Sequence, residues 1–361
     1  MPDPVRILFL ADSHLGLDLP VRPRVGRRRR GFDFLANYST ALAPALTGGV
    51  DLVIHGGDVF NRSAPHTSVA HQAYKPLERI ADLGVPVFIV PGNHERSRLP
   101  HSRLLTHRNI HVFDVPRTFT VDVKGTRLAL SGFPYERDDV RSKFSALVDQ
   151  TCWRGCDADH RLLCIHHCVE GATVGPGDFT FTTASDVIRC RDLSPHFAAV
   201  LSGHIHRHQV LTTDLDRRPI AAPVVYPGSI ERTSFAEIGE PKGFMTIRLG
   251  PETGAMSWTF HDLPARPMER HELDGGRLDA ADLERCILDI LRRAPGDAVI
   301  SIRVSGALTD AHWGVMSSAR LRARIPATMN LDVTPANGFV HRSAFTPKHV
   351  ADADQHVLFA D

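Results

Sequence analysis

A mixed α/β fold with one large and one smaller domain is what the sequence predicts, and three observations carry that expectation. Five short apolar runs each stop at a polar cluster, two amphipathic stretches separate the first three runs, and the chain is long enough for more than one core. At roughly 150 residues per domain, its 361 residues correspond to two or three domains. Hydrophobic residues at 42% and charged residues at 23% lie near globular averages, which excludes a disordered, collagenous or coiled-coil chain.

The runs are VRILFLA before Asp12-Ser13-His14, DLVIHGG before Asp58, VPVFIVPG before Asn93-His94-Glu95, RLLCI before His166-His167, and AAVLSG before His204-Ile205-His206. Such runs read as strands buried on both faces. Phe34, Leu35, Tyr38, Leu42 and Leu46 recur at helical spacing, and a second helix is expected over about Val69 to Leu83. Strands alternating with helices predict a largely parallel sheet, whose ligands gather at the carboxyl ends of its strands. All five clusters can then meet at one edge. From Thr118 to Phe133 and from Val210 to Phe260 the pattern becomes β-rich with Gly and Pro turns, expected as antiparallel additions.

Two prolines in Leu263-Pro264-Ala265-Arg266-Pro267 stop both helix and sheet, so 263–267 is the expected linker between a domain over 1–262 and a smaller one over 268–345. In the smaller domain Asp279 can cap a helix with Leu283, Ile287, Ile290 and Leu291 on one face. Ile300, Ile302 and Val304 alternate as a strand, and Met329, Leu331 and Val333 mark another. Residues 346–361 read as a loosely attached tail.

The formal charge is +1, from 42 Lys plus Arg against 41 Asp plus Glu, which excludes binding of a polyanion through the field of the whole protein. The six cysteines form no CxxC pair and no disulfide framework, and are expected as reduced, mostly buried thiols, with Cys152 and Cys156 an unmatched pair. No apolar run approaches the roughly 18 residues of a membrane span, and Ile7 to Ala11 is too short for a signal-peptide core. The expectation is a soluble cytoplasmic protein without membrane attachment.

The strand ends collect Asp12, His14, Asp58, Asn93, His166, His204 and His206. Singly, such a residue after a strand reads as a turn or cap. Five clusters repeating the pattern read as a metal centre. Mixed oxygen and nitrogen donors without thiolate suit Mn²⁺, Fe²⁺ or Zn²⁺. Seven donors exceed one tetrahedral site and fit two metals sharing a carboxylate. Two metals about 3.5 to 4 Å apart can hold a hydroxide between them and clamp a phosphoryl group, so phosphoester hydrolysis is the expected reaction class.

The order Asp12-x-His14, Gly57-Asp58, Gly92-Asn93-His94-Glu95, His166 and Gly203-His204-x-His206 resembles the calcineurin-like metallophosphoesterase superfamily over about residues 5 to 260. That resemblance implies a β-sandwich of mixed sheets flanked by helices. Within the superfamily, DSHLG at 12–16, GDVF at 57–60, GNHE at 92–95 and YPGSIERT at 226–233 resemble the SbcD-type DNA repair nucleases. YPGSIERT is the discriminating stretch, and the segment after Pro267 is similar to the small α+β capping domain of those nucleases.

By this resemblance one metal takes Asp12, His14 and His206, the other takes Asn93, His166 and His204, and Asp58 bridges, with Mn²⁺ the favoured ion. His166 is chosen over His167 because it stands three residues before Val169, as the ligand does in the resembling nucleases; His167 and Glu95 then orient ligands from behind. His94 is not needed as a ligand and is the expected catalytic residue, facing the scissile phosphate to stabilise charge or protonate the leaving oxygen. Some members carry a His three residues after the bridging Asp, where this chain has Asn61. That leaves metal binding intact and bears on the cleavage mode.

The implied function is hydrolysis of DNA phosphodiesters, with an SbcC-like ATPase as partner and a homodimer open. The alternatives are a phosphohydrolase of nucleotides or other small phosphoesters, and a non-catalytic scaffold. Between Pro20 and Phe32 stand Arg22, Arg24, Arg27, Arg28, Arg29 and Arg30 with no acid, a local charge of about +6. This loop reads either as a contact to the phosphate backbone of DNA or as a solvated basic loop. Arg27 to Arg30 and Arg232 of YPGSIERT are the candidate substrate contacts.

Overall fold

Val5–Leu10 opens the chain as a strand buried on both faces, and those two faces define the layers. Val5, Ile7 and Phe9 join a core between two sheets, whereas Leu8 and Leu10 join a second core beneath helices. That double burial is why the run shows no polar alternation. The structure, a computed structural model, describes residues 3–18, 26–250 and 256–336.

The first sheet has six strands in the order Met256–Asp262, Gly243–Leu249, Val5–Leu10, Leu52–His55, Val87–Ile89 and Ile110–Val112. Its last four run parallel, with Ile7 opposite Leu52 and Leu10 opposite His55, and its first two add antiparallel. Helices Arg30–Leu46 and Thr67–Asp82 make the parallel crossovers. They lay Phe34, Tyr38, Leu42, Ala70, Tyr74 and Leu77 on the outer face of the sheet.

The second sheet is ordered Gln209–Thr213, Pro219–Tyr226, Ala199–Ser202, His160–Ile165, Thr126–Gly132 and Arg117–Val123, parallel in the middle and antiparallel at both edges. Leu162 and Cys164 enter the core shared with the first sheet, while Leu163 and Ile165 turn outward to Phe144 of helix Val140–Gln150. The result is a β-sandwich of two mixed sheets flanked by helices. The parallel strands are thus divided between two sheets rather than gathered in one. An apolar run looks the same in either sheet, so its sequence does not say which sheet receives it.

Backbone contacts divide the chain into two units: Met1–Glu269 with Ala294–Ile300 and Ile325–Asn330, and Arg270–Arg293 with Ser301–Arg324 and Leu331–Asp361. In the second unit helix Ala280–Arg293 buries Leu283, Ile287 and Leu291, and the Asp279 carboxylate accepts the Asp282 N–H at 2.8 Å. Strands Met268–Asp274, Val299–Ser305 and Asn330–Pro335 form a three-stranded sheet. Within 263–267, Leu263 and Arg266 are buried, so that stretch is packed chain. The expected tail 346–361, with Arg22 and Arg24, lies outside the described residues.

Cys164, Cys168 and Cys190 are buried, but Cys152 is exposed and Cys156 and Cys286 are half-buried, so only half of the thiols sit in the core. Among the described residues no helix is long and apolar enough to cross a membrane.

Phe9 is fully buried between the sheets and Trp258 is exposed on the edge strand. Phe9→Ala is expected to cost about 3–5 kcal/mol and Trp258→Ala under about 0.5 kcal/mol in chemical denaturation. Equal losses would contradict the assignment of the inter-sheet core.

Candidate metal centre

Beyond the ends of the strands, the backbone pairing of the first sheet continues into the loops. The N–H groups of Asp12, His14 and Leu15 donate to the carbonyls of Gly57, Asp58 and Val59 at 2.9, 3.0 and 2.9 Å. Asp12, His14, Asp58 and His204 adopt positive φ values of 50°, 42°, 51° and 80°. For residues bearing a Cβ this region costs about 1–3 kcal/mol each, and it persists only where surrounding contacts dictate it. Close approach explains the adjoining glycines. A Cβ on Gly57 would overlap the His166 ring, and one on Gly92 would overlap the Asp58 carboxylate.

These loops bring all seven expected donors together. Nε2 of His14 and Nε2 of His206 lie 2.9 Å apart, and Asn93 Oδ1 is 3.0 Å from His166 Nε2 and 2.9 Å from His204 Nδ1. Asp58 Oδ2 is 3.4 Å from His166 Nε2 and 3.9 Å from Nε2 of both His14 and His94. The Asp12 carboxylate accepts the His204 N–H at 3.0 and 3.1 Å and reaches within 4.0 Å of His166. Ligand atoms of Asp12, His14 and His206, and those of Asp12, Asp58 and His166, fall within 4.8 Å of one another.

The tautomers suit a cation. His166 Nδ1 donates to the Gly56 carbonyl at 2.7 Å, which turns the Nε2 lone pair toward Asn93 and Asp58. Burial opposes the charge on His166, but the Asp58 and Asp12 carboxylates raise the ring to about 9. Burial and the charge on His166 push His204 down to about 3, and burial raises Asp12 to about 6 against the pull of His166 and His206. Burial likewise opposes the Asp58 charge, yet His166 keeps that carboxylate well below its usual range. Oxygen and nitrogen donors with no thiolate fit divalent cations of borderline hardness.

His94 stands at the open side of this cluster, its side chain 39% exposed and its ring 4.7 Å from that of His14. Its Nδ1 donates to the main-chain carbonyl of Asn61 at 2.8 Å, which points Nε2 at the cluster. Asn61 therefore acts here through its backbone. Glu95 is buried and accepts three main-chain N–H groups, from Asp58, Phe60 and Gly92, at 3.1, 2.8 and 2.7 Å. Burial and the neighbouring Asp58 raise its carboxyl to about 8. His167 Nε2 accepts the Glu136 N–H at 3.0 Å, and its ring stacks on Tyr135 at 4.8 Å.

The Calcineurin-like phosphoesterase family profile matches residues 5–208. The chain belongs to the calcineurin-like phosphoesterase family. It is 27% identical over 317 residues to the DNA double-strand break repair protein Mre11 of Haloferax volcanii, covering 81% of this chain and 62% of that one. It is 26% identical over 219 residues to the protein of the same name from Saccharolobus solfataricus, covering 58% of this chain and 51% of that one. The chain thus spans about half to two thirds of the length of these curated relatives. A dimetal phosphatase from Danio rerio superimposes with a TM-score of 0.42 at 14% identity, over 73% of this chain and 97% of that structure.

In this phosphoesterase the basic candidates are engaged within the chain. Arg27 donates to the Pro326 carbonyl at 2.6 Å, Arg28 pairs with Asp33 at 2.7 Å, and Arg29 pairs with Asp18 at 2.5 Å. Arg30 is buried, pairs with Asp33 and Glu231 at 3.3 and 3.5 Å, and donates to the Arg232 carbonyl at 2.7 Å. Arg232 donates to the Arg266 carbonyl at 3.2 Å.

Three further residues, absent from the sequence reading, contact the cluster. The Tyr135 ring is half-buried, 5.7 Å from the His204 ring and 6.1 Å from that of His166. It follows strand Thr126–Gly132, another parallel strand end, which could have drawn attention to it had it carried a carboxylate or imidazole. Glu237 and Lys242 stand behind His206, ten or fewer residues beyond YPGSIERT.

Glu95→Ala strands three buried N–H groups, and at about 1–3 kcal/mol for each unsatisfied donor it is expected to lower stability by several kcal/mol and to weaken divalent-metal binding. Denaturation and metal titration check it; unchanged metal affinity would remove the role given to Glu95. Arg30→Ala is expected to cost about 3 kcal/mol, because Asp33 and Glu231 lose a buried partner. An Arg30→Ala variant of wild-type stability would contradict the internal role.

Proposed function

We propose that this phosphoesterase hydrolyses DNA phosphodiester bonds at a pair of divalent cations. The observation that carries the proposal is the convergence of seven oxygen and nitrogen donors beside a partly exposed imidazole, in a chain whose relatives include proteins named for DNA double-strand break repair. Asp12, His14 and His206 would hold one cation, Asn93, His166 and His204 the other, and Asp58 both. When bound, the cations supply Lewis-acid stabilisation of the charge that builds on the phosphoryl group. The donor set suits Mn²⁺, Fe²⁺ or Zn²⁺, and likeness to the DNA repair nucleases favours Mn²⁺ among them.

His94 carries the proton chemistry. With Nδ1–H committed to the Asn61 carbonyl, a ring protonated at both nitrogens offers its Nε2 proton to the leaving oxygen, and the neutral ring offers a lone pair. The Asp58 carboxylate accepts the His94 main-chain N–H at 2.9 Å, fixing the ring relative to the donors. Tyr135 borders the cluster on the side of His166 and His204. Residues 268–345 are proposed as the capping domain and an SbcC-like ATPase as the partner. Both rest on likeness to the DNA repair nucleases.

Purified protein with Mn²⁺ and end-labelled duplex, single-stranded and hairpin DNA is expected to cleave at least one of these. Cleavage of nucleotides and none of the DNAs would move the substrate to small phosphoesters. His94→Ala is expected to bind metal as the wild type does while turnover falls about 10²- to 10⁴-fold. Asp58→Ala is expected to lose metal as well. An active His94→Ala enzyme would overturn the proton role.

A further inference from the structure

His206 is gripped from behind by charged groups that the family profile does not reach. Its Nδ1 lies 3.1 Å from Glu237 Oε1, and Thr233, the last residue of YPGSIERT, donates its hydroxyl to that same oxygen at 2.5 Å. The other oxygen of Glu237 receives Lys242 Nζ at 2.6 Å. Lys242 has no exposed side-chain surface. A buried ammonium is tolerated only when its charge is paired and its three donors are used. Lys242 meets both conditions, reaching the His206 carbonyl at 3.0 Å and Glu240 Oε2 at 3.1 Å besides Glu237. Glu240 in turn accepts from Arg207 at 3.0 Å, the residue that follows His206.

Lys242 therefore holds this one histidine twice, directly at its main chain and through Glu237 at its ring. No other ionisable group among the described residues contacts Glu237 apart from His206. A histidine that donates Nδ1–H to a carboxylate is fixed in ring orientation and made a stronger donor at Nε2. Here Nε2 faces His14 at 2.9 Å. We infer that Lys242 and Glu237 are positioning residues that set His206, and with it the cation shared by Asp12 and His14, leaving the cation of Asn93, His166 and His204 to separate supports. This rests on the reading of His206 as a ligand. It makes the segment from Thr233 to Lys242, which lies beyond residue 208, part of the metal centre.

Titration calorimetry with Mn²⁺ on wild type, Glu237→Gln and Lys242→Met tests the inference. Glu237→Gln is nearly isosteric and keeps the interior filled should Lys242→Met fold poorly. Each variant is expected to weaken one of two metal equivalents about 10- to 100-fold while the other stays within about twofold. A support that served only the fold would lower thermal stability without singling out one equivalent. Unchanged affinity for both equivalents in folded Glu237→Gln, or equal weakening of both, would overturn the inference. Absence of any binding to the wild type would instead remove the metal reading beneath it.

Discussion

A buried carboxylate among imidazoles governs this molecule. Asp58 is almost without solvent and has a backbone in the left-handed region, and Nε2 atoms of His14, His94 and His166 all lie within 3.9 Å of one of its oxygens. Its N–H is taken by Glu95, its carbonyl by His14, and its other carboxylate oxygen by the N–H of His94. Loops from the ends of three parallel strands of one sheet therefore close on a single side chain. Charge placed so deeply needs compensation, and His166 arrives from the second sheet to provide most of it. Packing the two sheets face to face is thus what completes the cluster.

The strand ends were legible because two signals coincide there. A run buried on both faces is continuous in sequence, and a following Asp, Asn or His cannot belong to the same interior, so the boundary between scaffold and chemistry shows as an abrupt change of residue type. The glycines before Asp58, Asn93 and His204 belong to that pattern for a steric reason, since a Cβ at Gly57 or Gly92 would occupy space taken by the His166 ring or the Asp58 carboxylate. What did not show was the partition into two sheets: Leu163 and Leu162 look alike in sequence and point to different cores.

The charged residues were harder to read because charge does not announce its partner. The run Arg27 to Arg30 has no acid within it, yet Asp18, Asp33 and Glu231 approach from before it, after it and more than two hundred positions away. A basic stretch in sequence becomes an internal brace in space. Glu237 and Lys242 present the converse case. Neither sits in a strand-end cluster, and a lone Lys reads as surface, but the burial of Lys242 gives the pair its meaning.

Taken together, these supports bear on how the centre is built. Glu95 fastens the loops that carry Asp58 and Asn93, and Lys242 with Glu237 fastens His206, all through contacts made within the protein. Four donors hold costly positive φ values in the same arrangement. The donor geometry is thus set by contacts within the protein, and the strained backbone persists because those contacts dictate it.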